Sequence, residues 1–255
     1  MRKLLNRVPE VVASFWIIKV LATTVGETAA DVLSVNLNFG LSNTSYIMSA
    51  ILLLALLNQF RLKRYVPASY WIVVVLMSIT GTLITDRLID DFGVSLMTTN
   101  IVFSVILIAI FGFWYANEKT LAMHSINTAK REIFYWAAIL FTFALGTSTG
   151  DFLAETLKLG YAPAALIFGI AIAIISFGYY YFKINGILAF WLAYILTRPL
   201  GASIGDLLSQ PSANGGLGLG TVGTSILFLC VIVSLVIYLS LKQKKRRIIP
   251  TEAEN

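Results

Sequence analysis

One phrase recurs four times in this chain, each time within a stretch of about 20 apolar residues, the length a bilayer-spanning helix needs. Trp16 is followed by Gly26 and Asp31, Trp71 by Gly81 and Asp86, Trp136 by Gly146 and Asp151, and Trp191 by Gly201 and Asp206. An aromatic residue precedes each tryptophan (Phe15, Tyr70, Tyr135, Phe190). The chain has six aspartates, and four of them fill this one slot. The pattern W-x9-G-x4-D therefore marks a repeated structural unit, and any fold must accommodate four copies of it in apolar surroundings.

Those surroundings specify an all-α polytopic membrane protein. Hydrophobic residues make up 58% of the 255 and charged ones 13%, against about 25% charged in soluble domains. Hydropathy predicts eight transmembrane helices, near 11–33, 41–60, 68–89, 96–116, 133–156, 161–182, 185–208 and 219–241. The first resembles the start of a signal peptide but is too long for its apolar core, so it is kept in the mature protein. An even number of spans puts both termini on one side. Arg2, Lys3, Arg7, Arg61, Lys63, Arg64, Lys119, Lys130, Arg131, Lys183 and the "KQKKRR" run at 242–247 all fall on that side, while the opposite loops hold only Arg87 and Lys158. The positive-inside rule makes it cytoplasmic. The net charge of +6 thus reflects topology rather than a nucleic-acid partner, and the basic tail, 242–255, reads as a stop-transfer anchor. With one cysteine, Cys230, and one histidine, His124, neither a disulfide framework nor a soft metal site is expected.

The tryptophans lie 55, 65 and 55 residues apart, so each unit is a helical hairpin. The expected repeats are 10–62, 65–117, 130–183 and 185–241, in one membrane domain with two pseudo-symmetric halves. Since each unit holds two spans, the copies enter the bilayer in the same orientation, as parallel rather than inverted repeats. On these four phrases the chain resembles a bacterial family of integral membrane proteins with four tandem two-helix repeats, a repeat of unknown function in which each copy carries a tryptophan. The resemblance implies an eight-helix protein of the bacterial inner membrane and supplies no activity.

Residues four apart share a helix face. Stepping by four from the third residue after each tryptophan gives Lys19, Thr23, Glu27 and Asp31, then Ser78, Thr82, Asp86 and Asp90, then Thr147, Asp151 and Glu155, and finally Tyr194, Arg198, Ala202, Asp206 and Gln210. The odd helices thus carry polar stripes that turn acidic toward the outer end, while the even helices are far more apolar. A charge facing hydrocarbon costs at least about 2.5–3.5 kcal/mol, so the stripes are expected to turn inward and line one cavity. Expected ion ligands are Glu27, Asp31, Asp86, Asp151 and Asp206, with Thr23, Thr82 and Thr147. Lys19, Arg198, Asp90 and Glu155 are expected gates or counter-ions. Gly26, Gly81, Gly146 and Gly201 are expected at close helix contacts, Pro199 at a kink, and Trp16, Trp71, Trp136 and Trp191 as packing anchors. The "NGGLGLGTVG" run (214–223) lacks the Gly-Lys-Ser/Thr ending of a phosphate loop and reads as a hairpin connection.

Oxygen ligands without soft ones suit a hard divalent cation such as Mn²⁺ or Mg²⁺. The expectation is a secondary cation transporter, open to proton coupling, with no covalent cofactor and no enzymatic activity. Its expected partners are the lipid bilayer and the transported cation, and an oligomer is compatible with the sequence. The alternatives are an organic-cation transporter and a non-transporting scaffold or sensor whose stripes bind the helices together.

Overall fold

The computed structural model describes residues 6–248 and shows eight long helices, with no strand among the described residues. They are α1 (Ala13–Asp31), α2 (Leu41–Arg61), α3 (Pro67–Asp86), α4 (Leu96–Glu118), α5 (Ala129–Asp151), α6 (Tyr161–Tyr181), α7 (Gly186–Ser209) and α8 (Thr221–Ile248). Arg2, Lys3 and residues 249–255 of the basic tail lie outside the described residues. Helix starts follow local chemistry: Pro67 opens α3, where its missing N–H is harmless, and Asn185 Oδ1 caps α7 by accepting from the amides of Ile187 (2.9 Å) and Leu188 (3.2 Å). Seven of the eight helices are long and apolar enough to cross a membrane, as in a multi-pass membrane protein. The exception is α1, whose Lys19 and Glu27 lower its hydropathy.

The odd helices form a closed ring. α1 packs on α3, α3 on α5, α5 on α7, and α7 back on α1. The even helices stand outside it. α2 packs on α3, α4 on α5, α6 on α7 and α8 on α1, so each leans chiefly on the odd helix of the following unit. The two layers differ as their sequences require. In the apolar windows of α3, α5 and α7, 56–61% of residues are buried within the protein, against 11–22% in α2, α4, α6 and α8.

Two levels of the repeat join each odd helix to the next. At the amino-terminal end, the aromatic before each tryptophan meets the tryptophan of the next odd helix. Ring centroids are 5.7 Å apart for Phe15–Trp71, 5.4 Å for Tyr70–Trp136, 6.2 Å for Tyr135–Trp191 and 5.6 Å for Phe190–Trp16. These contacts make a collar. Trp71, Trp136 and Trp191 are buried, and Trp16 is partly exposed.

About three helical turns further on, the phrase glycines make the second level. A Cβ on Gly26 would strike Ser78, one on Gly81 would strike Phe143, one on Gly146 would strike Arg198, and one on Gly201 would strike Thr23. Each struck residue stands seven positions after its own tryptophan. Only glycine allows this approach. Pro199 does not end α7, which runs on to Ser209, and its ring lies against Gly146.

Candidate functional site

The carboxyl-terminal ends of the odd helices surround an open cavity of about 290 Å³. Its lining includes Glu27, Asp31, Asp86, Asp90, Asp151, Glu155 and Asp206, with Gln210 and Tyr161. All five expected carboxylate ligands therefore reach one space. Asp90 and Glu155 are exposed at its mouth. Carboxylate oxygens of Glu27, Asp151 and Asp206 lie within 4.8 Å of one another, near enough to share one cation. Glu27 and Asp206 are only 8% and 9% exposed, so two of the three acids sit where water gives their charge little relief.

Below Glu27 the ring is closed by Arg198, which is fully buried. Its Nη2 donates to Glu27 Oε2 at 2.9 Å, to Thr147 Oγ1 at 2.6 Å and to the Thr82 hydroxyl, while Nη1 reaches the Thr23 carbonyl at 3.3 Å. The repeat explains why a guanidinium fits. Glu27, Thr82 and Thr147 occupy one position of three copies, and the fourth copy has Ala202 there. Arg198 starts one turn earlier on the same helix and reaches into the level that the small alanine leaves open.

Thr82 and Thr147 thus hold the arginine rather than line the cavity. Thr23 is buried between helices, its hydroxyl donating to the carbonyls of Val20 and Thr197. Lys19 is also absent from the cavity. It lies on the other side of the arginine, fully buried, with Nζ 4.2 Å from the Phe143 ring centre and 4.4 Å from that of Tyr194. Arg87 pairs with Asp91 at 3.4 Å, and Lys158 is exposed and outside the lining. Arg198 is accordingly the one cation seen in contact with this acidic group among the described residues.

Several features are not visible in the polar stripes. Tyr161 reaches the cavity from α6, an even helix. Glu132 is fully buried at the collar end, where it accepts from Arg7 (2.7 Å), Gln59 (3.0 Å) and the Trp136 indole (3.4 Å). Its spacing from Trp136, one helical turn, was the available signal. After Asp31, Asp86 and Asp151 the helix widens into a π-helical turn, at Val32–Asn36, Arg87–Asp91 and Phe152–Thr156. The fourth copy has none. Instead its glycine-rich loop folds back and caps α7: the amides of Leu217, Leu219 and Gly218 donate to the carbonyls of Leu207 (2.6 Å), Leu208 (2.9 Å) and Gln210 (2.9 Å). Gly216 lies so close to the Gln210 backbone that a side chain would collide with it.

A family model described as Repeat of Unknown Function (DUF347) matches residues 14–65, 69–120, 134–185 and 189–245. The chain belongs to this family. Each DUF347 copy begins two residues before its tryptophan, so the collar, the glycine contact and the acidic position fall in the same places in all four copies. Arg198, Lys19 and Glu27 are each peculiar to one copy. No curated protein and no solved structure matches the chain.

Proposed function

We propose that this protein is a secondary transporter of cations and that Glu27, Asp151 and Asp206 hold the transported ion. The observation that carries this reading is the convergence of the four acidic stripes on one open cavity with a single contacting cation. Helix ends held together purely for structure would pair their carboxylates with lysines, arginines or backbone amides. No such partner is seen for Asp31, Asp86, Asp151 or Asp206 among the described residues. Crowded like charges repel, and a bound cation in their midst removes that repulsion. A hard divalent ion such as Mn²⁺ or Mg²⁺ suits a set made wholly of oxygen ligands.

In this reading all eight helices span the membrane in a pseudo-four-fold arrangement. α1 tolerates Lys19 and Glu27 because its neighbours cover both residues. The collar end faces the cytoplasm with both termini, following the basic residues, and the acidic cavity opens outward from a bacterial inner membrane. Arg198 acts as a tethered cation: it neutralises Glu27 when the site is empty and gives way when cargo arrives. The chain displays no nucleotide-binding phosphate loop, so transport is driven by gradients.

Ion flux into proteoliposomes tests this. Purified wild type is expected to admit Mn²⁺ saturably, and Glu27→Gln and Asp206→Asn are each expected to reduce the flux. Equal flux in all three, or none of any tested divalent or organic cation, leaves the scaffold reading in its place.

A further inference from the structure

We propose that the proton is the coupling ion of this transport and that Lys19 carries it. The inference rests on the cation-transport reading above and identifies what is exchanged for the cargo. Lys19 has no exposed surface, and its Nζ finds no hydrogen-bond acceptor among the described residues. Among the described residues its ammonium lies against the faces of Phe143 on α5 and Tyr194 on α7. Cation–π contact of this kind is weaker than the support a carboxylate partner would supply to a buried charge.

The charged and titratable groups around it are few. α7 presents Arg198 and Tyr194 to it, and Tyr135 of α5 and Tyr70 of α3 lie in the same buried cluster as Tyr194. α1 itself adds Glu27, and α8 has no charged residue before Lys242. The one carboxylate among them, Glu27, is already taken by Arg198. Two cations therefore share one anion in the closed part of the ring. When cargo occupies Glu27, Arg198 loses its partner and the local positive charge rises further. Lys19 is the one cation there able to shed its charge, since a guanidinium does not deprotonate in proteins. Its ammonium gives up one proton toward the open cavity and remains as a neutral amine, and it takes up another from the collar side when cargo leaves and Arg198 returns to Glu27.

The hydroxyls on the collar side offer the route by which the amine takes up its next proton. Tyr194 Oη is buried beside Tyr135, whose hydroxyl and that of Tyr70 hydrogen-bond to each other. Polar groups thus continue past Lys19 into an otherwise aromatic seal.

The test uses the full-length protein in proteoliposomes with a pH-sensitive dye inside and an imposed Mn²⁺ gradient. Radiolabelled Mn²⁺/Mn²⁺ exchange is measured on the same preparation. Wild type is expected to show both exchange and opposed proton movement. Lys19→Met and Lys19→Arg are expected to keep exchange while Mn²⁺-driven proton movement falls by about a hundredfold, the low end of what a positioned proton-transfer group contributes. The arginine variant separates the roles, because it restores a buried cation that cannot release its proton. Proton movement persisting in either variant overturns the role of Lys19. Exchange without proton movement in wild type overturns the coupling but spares the transport reading, and absence of exchange overturns both.

Discussion

At the amino-terminal end of the ring, eight aromatic residues meet tryptophan to neighbour with centroids 5.4–6.2 Å apart and close the axis. About four helical turns away, four aspartates at one position of the same repeat surround a cavity of about 290 Å³. Both ends come from one phrase copied four times. They differ because aromatic rings attract their own kind in tilted and edge-on contacts, whereas carboxylates repel theirs. Repeating a residue around a ring therefore closes it or holds it open according to how that residue interacts with itself. Arg198, present in one copy only, divides the two regimes.

This contrast can be broken at several points. The largest effect is expected at the division itself. Arg198→Met leaves Glu27 buried and unpaired, and loss of one partner of such a pair costs about 3–5 kcal/mol. Unfolding in detergent should show that loss, and adding Glu27→Gln should recover much of it, as coupled residues do. At the sealed end, Trp136→Ala should cost about 3 kcal/mol through the void it leaves. A variant as stable as wild type would mean that the collar does not hold the ring.

Between the ends, Gly146→Ala forces a methyl into Arg198 and should cost about 1–3 kcal/mol. Gly169→Ala, on the outer helix α6 with nothing near its added methyl, should be neutral or gain up to about 1 kcal/mol from helix propensity. Equal effects at these two glycines would contradict the division into ring and shell. The smallest change is expected at the open end. Asp151→Asn removes one of the crowded charges and should stabilise the empty protein by about 1 kcal/mol, the size of a unit-charge contact in a wet site. A destabilisation as large as that of Trp136→Ala would mean that the acid is structural.

Much of this arrangement was legible in the residues. Polar stripes on alternate helices predicted which faces turn inward, because a charge in lipid has no cheap alternative, and the repeated phrase located the glycine contacts. The partners in those contacts were not legible. That Gly146 meets Arg198, or that Tyr70 meets Trp136, depends on the axial offset between neighbouring helices, which no single helix records. The same limit hid the packing of each even helix on the following unit. It hid the convergence of Arg7 and Gln59 on Glu132 as well, since those residues come from three separate segments. The stripe grouped Thr82 and Thr147 with the cavity acids, whereas they hold Arg198. A side chain that climbs one turn into a neighbouring level defeats position-by-position reading.

The claim that these acids form a cation site is tested most directly by titrating the purified protein with Mn²⁺ calorimetrically. Wild type is expected to bind saturably. The Asp151→Asn/Asp206→Asn double variant should bind at least about tenfold more weakly, the low end of what even outer-sphere partners contribute to metal affinity. Indistinguishable isotherms for the two proteins, or no binding by either, would contradict the account.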